Sequence, residues 1–164
     1  MIRLEKINSR NIDEVLRLRV QDDQKEYAAD NRTSIIEAYI AVTNDGHAFT
    51  FAVCDGSRPV GFVMIGYDTD DCWEDPPAIA KGNYSLWRLM IGKEYQHRGY
   101  GRKALGLALE FIRSFPCGTA EYCWVSYLPE NKAAKELYRS FGFEETGDSD
   151  GQETLAVLKL EKEN

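Results

Sequence analysis

The chemically most pointed segment of the chain is a glycine-interrupted, cationic turn. Leu86-Trp87-Arg88-Leu89-Met90-Ile91 reads as an apolar strand. After Gly92-Lys93-Glu94-Tyr95 comes Gln96-His97-Arg98-Gly99-Tyr100-Gly101-Arg102-Lys103, and then a long helical pattern. Gly99 and Gly101 remove side chains where the backbone must come close to a ligand. The first N–H groups of a helix have no intrahelical acceptor, and the helix dipole adds partial positive charge beside them. Arg98, Arg102 and Lys103 add full charges. A pyrophosphate suits such a place. The plain alternative is a tight turn with a basic helix start. The segment lacks the Gly-Lys-Ser/Thr of a Walker loop and the third glycine of a dinucleotide fingerprint.

The elements around this turn follow from pattern. Ile2, Leu4 and Ile7 suggest a first strand, and a helix capped by Asn8 or Ser9 is predicted to run through about Val20. A second helix is predicted over residues 34–42, with Thr33 as its N-cap. Residues 48–54 and 60–67 read as strands joined by Asp55-Gly56-Ser57-Arg58-Pro59, a hairpin. Residues 68–81 form an irregular acidic stretch, and a long loop in a compact domain is often functional. Strand 84–91, helix 101–115, strand 120–127, helix 131–141 and strand 155–160 complete the order. That succession predicts a mixed α/β (α+β) domain around one sheet, spanning residues 1–164.

Bulk properties exclude several classes. The chain has 164 residues, 43% of them hydrophobic and 29% charged, which suits a soluble domain with its own core. No apolar run approaches a membrane span, and the N-terminal residues lack a secretion-type apolar core, so a cytoplasmic protein is expected. The formal net charge of -7 disfavours nucleic acid and anionic membrane as partners and is compatible with a cationic small substrate. Cys54, Cys72, Cys117 and Cys123 show no C-x-x-C spacing, and the two histidines, His47 and His97, are not near them at ligand spacing. Neither a metal site nor a disulfide framework is expected.

Two motifs carry a family resemblance. Gln96-His97-Arg98-Gly99-Tyr100-Gly101 resembles the acetyl-CoA pyrophosphate loop of the GNAT acetyltransferases. Glu130-Asn131-Lys132-Ala133-Ala134-Lys135-Glu136-Leu137-Tyr138-Arg139-Ser140-Phe141-Gly142-Phe143 resembles that superfamily's second signature. The element order matches over nearly the whole chain. The resemblance implies the GNAT fold, a single mixed, mostly antiparallel sheet of about six or seven strands. It is splayed at the central strand and flanked by about four helices. A closer similarity to bacterial diamine, spermidine and spermine acetyltransferases rests on residues 24–31, on Pro59-Val60-Gly61-Phe62-Val63-Met64 with the acidic loop, and on residues 86–91.

The resemblance also implies chemistry. An amine attacks the thioester of acetyl-CoA directly, with no metal and no covalent enzyme intermediate. Leu89, Met90 and Ile91 are implied to hold the pantetheine arm through backbone groups exposed by a β-bulge. Gln96, His97, Arg98, Gly99, Tyr100, Gly101, Arg102 and Lys103 would meet the pyrophosphate, and Asn131 would contact the cofactor. Tyr138 is the candidate acid, because a neutral phenol can donate a proton to a departing thiolate. Glu26, Asp30 and Trp87 are candidates for the acceptor side, as are the acids of residues 68–75. Polyamine acetyltransferases carry a carboxylate at or beside the positions of Trp87 and Arg88, and here neither is acidic. Arg88 would repel a cation unless paired, with Glu26 or Asp30 as the expected partner. Acetylation of another small-molecule amine or of a protein N-terminus, and a non-catalytic CoA-binding regulatory module, are the competing readings, and a homodimer is compatible with each.

Overall fold

A computed structural model describes residues 1–27, 29–72 and 74–161. Ala28 of the 24–31 stretch, Trp73 of the acidic stretch and the final residues 162–164 lie outside the described residues. The chain runs β1 (Ile2–Lys6), α1 (Ile12–Arg17), α2 (Asn31–Thr43), β2 (His47–Asp55), β3 (Arg58–Tyr67) and β4 (Tyr84–Ile91). It continues through α3 (Tyr100–Arg113), β5 (Tyr122–Tyr127), α4 (Lys132–Ser140), β6 (Glu144–Asp150) and β7 (Glu153–Lys159). The seven strands form one sheet in the order β1-β2-β3-β4-β5-β7-β6. All neighbours are antiparallel except β4 and β5. The mixed α/β sheet with four helices agrees with the expected GNAT fold.

Alternation along β3 explains why helices cover both faces. Val63 and Ile65 enter a core with Leu105, Ala108, Leu109 and Ile112 of α3. Phe62 and Met64 face the other way, toward Val15 of α1 and Ala38 of α2. A strand buried on both faces reads as one apolar run, as this one does. The buried positions of α3 recur at helical spacing and give it a single core-facing stripe.

Several expected boundaries change. The first helix is short and stops at Arg17, where Leu18 turns extended. The second begins earlier, at Asn31, because the Asp30 carboxylate rather than Thr33 caps it, accepting the Thr33 N–H at 2.7 Å. The acidic stretch is less irregular than expected, holding two 3-10 turns, Thr69–Asp71 and Ala78–Ala80. Asp68 closes it, its carboxylate accepting the Gly82 N–H at 2.6 Å. The single last strand is two. β6 was not legible because Glu-Glu-Thr-Gly-Asp-Ser-Asp is poor in residues that favour strands.

The central opening of the sheet has a local cause. Met64 pairs with Arg88 and Ile65 with Leu86, so Trp87 is an extra residue on β4. Such a bulge bends its strand. On its other side β4 pairs with β5 only at Tyr84 with Cys123 and Ser85 with Trp124. Beyond Ser85 the two parallel strands part. The bulge therefore lies at Trp87, ahead of residues 89–91, where the resemblance had placed it.

Candidate active site

A cleft of about 900 Å³ fills the gap between the parted strands. Its wall includes Trp87 to Ile91 of β4, Trp124, Ser126 and Tyr127 of β5, the turn leading to α3, and the start of α4. The Gly92 N–H donates to Val60 O on β3, so the same-side backbone groups of Met90 also face β3. Alternation then turns the N–H and C=O groups of Leu89 and Ile91 toward the gap. Part of this edge is already used, since Gln96 Nε2 donates to Ile91 O at 3.1 Å. The same amide donates to Gln24 Oε1 at 2.8 Å, tying the turn to the segment after α1. Gln96 thus holds the loop in place as well as lining the cleft.

The turn itself is a left-handed one. His97 has φ 61° and Gly99 φ 78°, directly before the first residue of α3. Successive N–H groups in such a conformation converge, as the free N–H groups of a helix start do. Glycine at position 99 is demanded by backbone conformation. Position 101 is different. A methyl group there would meet nothing nearer than Ile91 Cγ1 and Leu137 Cδ2, both at 3.9 Å. The protein leaves this space open beside the cleft, at a helix start whose first N–H groups lack intrahelical acceptors.

The flanking cations do not converge as the sequence suggested. Gln96, His97, Gly99, Tyr100, Gly101 and Asn131 line the cleft, whereas Arg98, Arg102 and Lys103 are exposed outside its wall. Arg102 donates to Ser140 Oγ at 2.9 Å and lies over the Phe141 ring, so it braces α3 on α4. The Tyr100 hydroxyl donates to Asp55 at 2.7 Å, which lowers the Asp55 carboxyl and anchors the start of α3 to β2. Asn131 caps α4 by accepting the Ala134 N–H at 3.2 Å. Its amide N–H groups are what it offers a ligand.

Tyr138 lines the same cleft from α4. Its ring stacks on Tyr127 at 5.7 Å and meets Phe143 edge-on at 5.6 Å. Burial pushes its phenol well above the usual range, with Cys123, Tyr127 and Glu153 adding to the effect. It is therefore neutral at physiological pH, a proton donor rather than a phenolate. Its hydroxyl makes no hydrogen bond among the described residues. Tyr127 is committed elsewhere, donating to Glu145 at 2.9 Å and raised to about 12, mainly by burial.

On the acceptor side, Glu26 and Trp87 reach the cleft wall and Asp30 does not. Asp30 is spent on the α2 cap, and that bond holds its carboxyl below the ordinary value. Arg88 is paired, but with neither Glu26 nor Asp30. The bulge turns Trp87 and Arg88 toward the α2 face, and Arg88 meets Glu37 at 3.2 Å. Glu37, half-buried on α2, was invisible as a partner until the bulge placed the two together. Sequence reasoning also missed Ser126, Asp150 and Glu153, which line the cleft from β5 and the β6–β7 hairpin. Burial raises all four cysteine thiols, Cys123 to about 12, so none supplies a ready thiolate nucleophile. No cluster of His, Cys, Asp or Glu able to hold a metal occurs among the described residues, and none of the described helices is long and apolar enough to cross a membrane.

Comparison with known proteins agrees with this geometry. The Acetyltransferase (GNAT) family profile matches residues 12–143. No curated protein matches in sequence. Among solved structures, the PaiA N-acetyltransferase of Thermoplasma acidophilum, in complex with coenzyme A, superposes with a TM-score of 0.68 at 14% identity. That match covers 97% of this chain and 99% of that one. Aminoglycoside acetyltransferase AAC(6')-Ib with coenzyme A gives 0.73 at 16% identity, covering 97% and 95%. The ribosomal-protein-S18-alanine N-acetyltransferase of Escherichia coli gives 0.66 at 15%, covering 100% and 97%. At such identities the likeness carries the fold, while the profile match carries the family. The chain belongs to the GNAT acetyltransferase family and is an acetyl-CoA-dependent N-acetyltransferase.

Proposed function

We propose that the acceptor is a small polycationic amine of the spermidine kind. The observation that carries this is the charge of the cleft wall. Among the described residues it bears seven carboxylates and one guanidinium, Arg88, which Glu37 already neutralises. A net charge of -7 attracts any cation from a distance, yet only local carboxylates select a second ammonium while the first sits at the thioester. Trp87, half-buried in the cleft wall, provides apolar surface for the methylenes between two ammonium groups.

Bound acetyl-CoA supplies the electrophilic carbonyl and the thiolate leaving group. The backbone of Leu89 and Ile91 is positioned to bind the pantetheine arm, and the α3 start with Gly99 and Gly101 to bind the pyrophosphate. Tyr138 donates the proton that the departing sulfur takes up.

The test is the ratio of kcat/KM for spermidine to that for n-butylamine, at low and high salt. The expected ratio is well above one at low salt and falls at high salt, since the screening length shrinks from about 10 Å at 0.1 M to about 3 Å at 1 M. A ratio near one in both conditions removes the polycation reading.

A further inference from the structure

We propose that the closing pair of the β6–β7 hairpin, Asp150 and Glu153 with Ser126 beneath it, binds the acceptor's ammonium group and takes its proton before attack. This assignment rests on the amine-acetyltransferase reading and adds the base that reading lacks.

The first argument is a local rule that the hairpin breaks. Asp150 and Glu153 are directly opposite each other across a two-residue turn, Gly151-Gln152, with Gly151 at φ 57°. Side chains so paired stand about 4.5–5.5 Å apart at Cβ, and like charges there are destabilising. Burial and the Glu153 charge raise the Asp150 carboxyl accordingly. A sequence that keeps two like charges at a hairpin's closing position works against its own stability. Such violations belong at functional sites, where a cation relieves them.

The second argument is elimination. Of the cleft's carboxylates, Glu26, Asp45, Asp68 and Asp71 are exposed to solvent, and Glu37 is half-buried but paired with Arg88. Asp150 and Glu153 are half-buried and have no cationic partner among the described residues. A carboxylate in that state gains most from an incoming ammonium.

The third argument is placement. Along β5, Cys123, Val125 and Tyr127 enter the α3 core, so Ser126 stands on the opposite face, and its hydroxyl donates to Glu153 Oε2 at 2.7 Å. That bond fixes one carboxylate oxygen and leaves the other for the amine. Glu153 is also close enough to add to the rise of the Tyr138 phenol. Base and acid thus stand at the same opening. Independently, Ser85 lines this cleft with its hydroxyl buried and without a partner. It sits where β4 and β5 last pair, with Trp124 opposite. A buried hydroxyl lacking a partner among the described residues is costly, so polarity is kept in this part of the cleft wall against stability.

The proton balance closes. The ammonium gives one proton to the carboxylate pair, and its nitrogen forms the bond to the acetyl carbon. The carbon–sulfur bond breaks, the sulfur takes the Tyr138 proton, and the nitrogen's surplus proton leaves for solvent. The pair's proton and solvent restore both groups. No oxidant or further reactant is required.

The test uses the full chain, with Glu153→Gln, Asp150→Asn and Ser126→Ala as variants. Glu153→Gln keeps the bond from Ser126 while removing charge and basicity. Two readings are taken, calorimetric binding of spermidine to the CoA complex and kcat/KM for spermidine. The expected result is at least ~10-fold weaker spermidine binding in Glu153→Gln and Asp150→Asn. Turnover in Glu153→Gln falls ~10²-fold or more. CoA affinity stays within a few-fold of wild type. Ser126→Ala gives a smaller loss in the same direction. Wild-type spermidine binding and turnover in both carboxylate variants overturn this assignment alone. A loss of CoA affinity in step with turnover overturns it as well, in favour of a structural role. A wild-type protein that acetylates no amine overturns the functional reading and the assignment together.

Discussion

Gly101→Ala separates a glycine kept for the ligand from one kept for the fold. The added methyl contacts Ile91 and Leu137 at 3.9 Å, ordinary van der Waals distance, and position 101 carries no positive φ. Nothing in the protein resists it. Replacing a compatible glycine by alanine stabilises a protein by about 0.4–1 kcal/mol, chiefly by restricting the unfolded chain. For a chain of this size that raises Tm by about 1–4 °C. The same methyl enters the space at the start of α3 where the pyrophosphate would lie, so CoA affinity should fall at least ~10-fold, about 1.4 kcal/mol. The two effects oppose each other in one thermal assay. CoA at 100 times the wild-type Kd stabilises wild type by about 2.7 kcal/mol, and the variant at that concentration by only about 1.4 kcal/mol. Without CoA the variant melts higher than wild type, and its CoA-induced shift is roughly halved. An equal shift in both proteins would show that the open space at Gly101 is not where CoA binds. A lower Tm without CoA would show that the backbone there tolerates no side chain, contrary to the 3.9 Å clearances around position 101.

Two further outcomes follow from the same geometry. Tyr138→Phe keeps the stacking on Tyr127 and the contact with Phe143 and removes only the hydroxyl, so turnover should fall about 10²–10⁴-fold while CoA affinity stays within a few-fold, as single-turnover kinetics and calorimetry would report. Asp30→Ala should cost about 1 kcal/mol of stability through the lost α2 cap and leave kcat/KM for amines near wild type. Because folding lowers the Asp30 carboxyl, its contribution is complete above the unfolded value near 3.8 and is lost as pH falls through the lower folded value. The acid limb of the wild-type stability curve should therefore shrink in Asp30→Ala.

What the sequence disclosed follows from whether the signal was local. The turn at residues 96–103 and the buried stripes of β3 and α3 are written in consecutive or helically spaced residues, and periodicity exposes them. Tyr138, singled out by its motif, lines the cleft. The three cations of the turn stand outside the cleft wall for a physical reason. Charge near a helix start in sequence does not fix where a long side chain goes, and Arg102 finds Ser140 and Phe141 on α4 instead of the cleft. Asp30 lies outside the cleft wall because its carboxylate is used as the α2 cap, a use its residue type suits as well as ligand binding.

The missed residues share one property, that each acquires its role from a long-range register. Trp87 becomes a bulge only because β3 pairs across it, and that bulge alone brings Arg88 to Glu37, 51 residues away in sequence. Glu153 reaches Ser126, 27 residues earlier, only once β7 lies beside β5. Its strand could be read from apolar alternation, but its hairpin partner β6 could not, because charges and a glycine occupy the positions where β-branched residues would announce a strand. Of the residues that hide β6 as a strand, Asp150 lines the cleft, opposite Glu153 on β7. A charged residue that faces the cleft there stands where a β-branched one would have announced the strand.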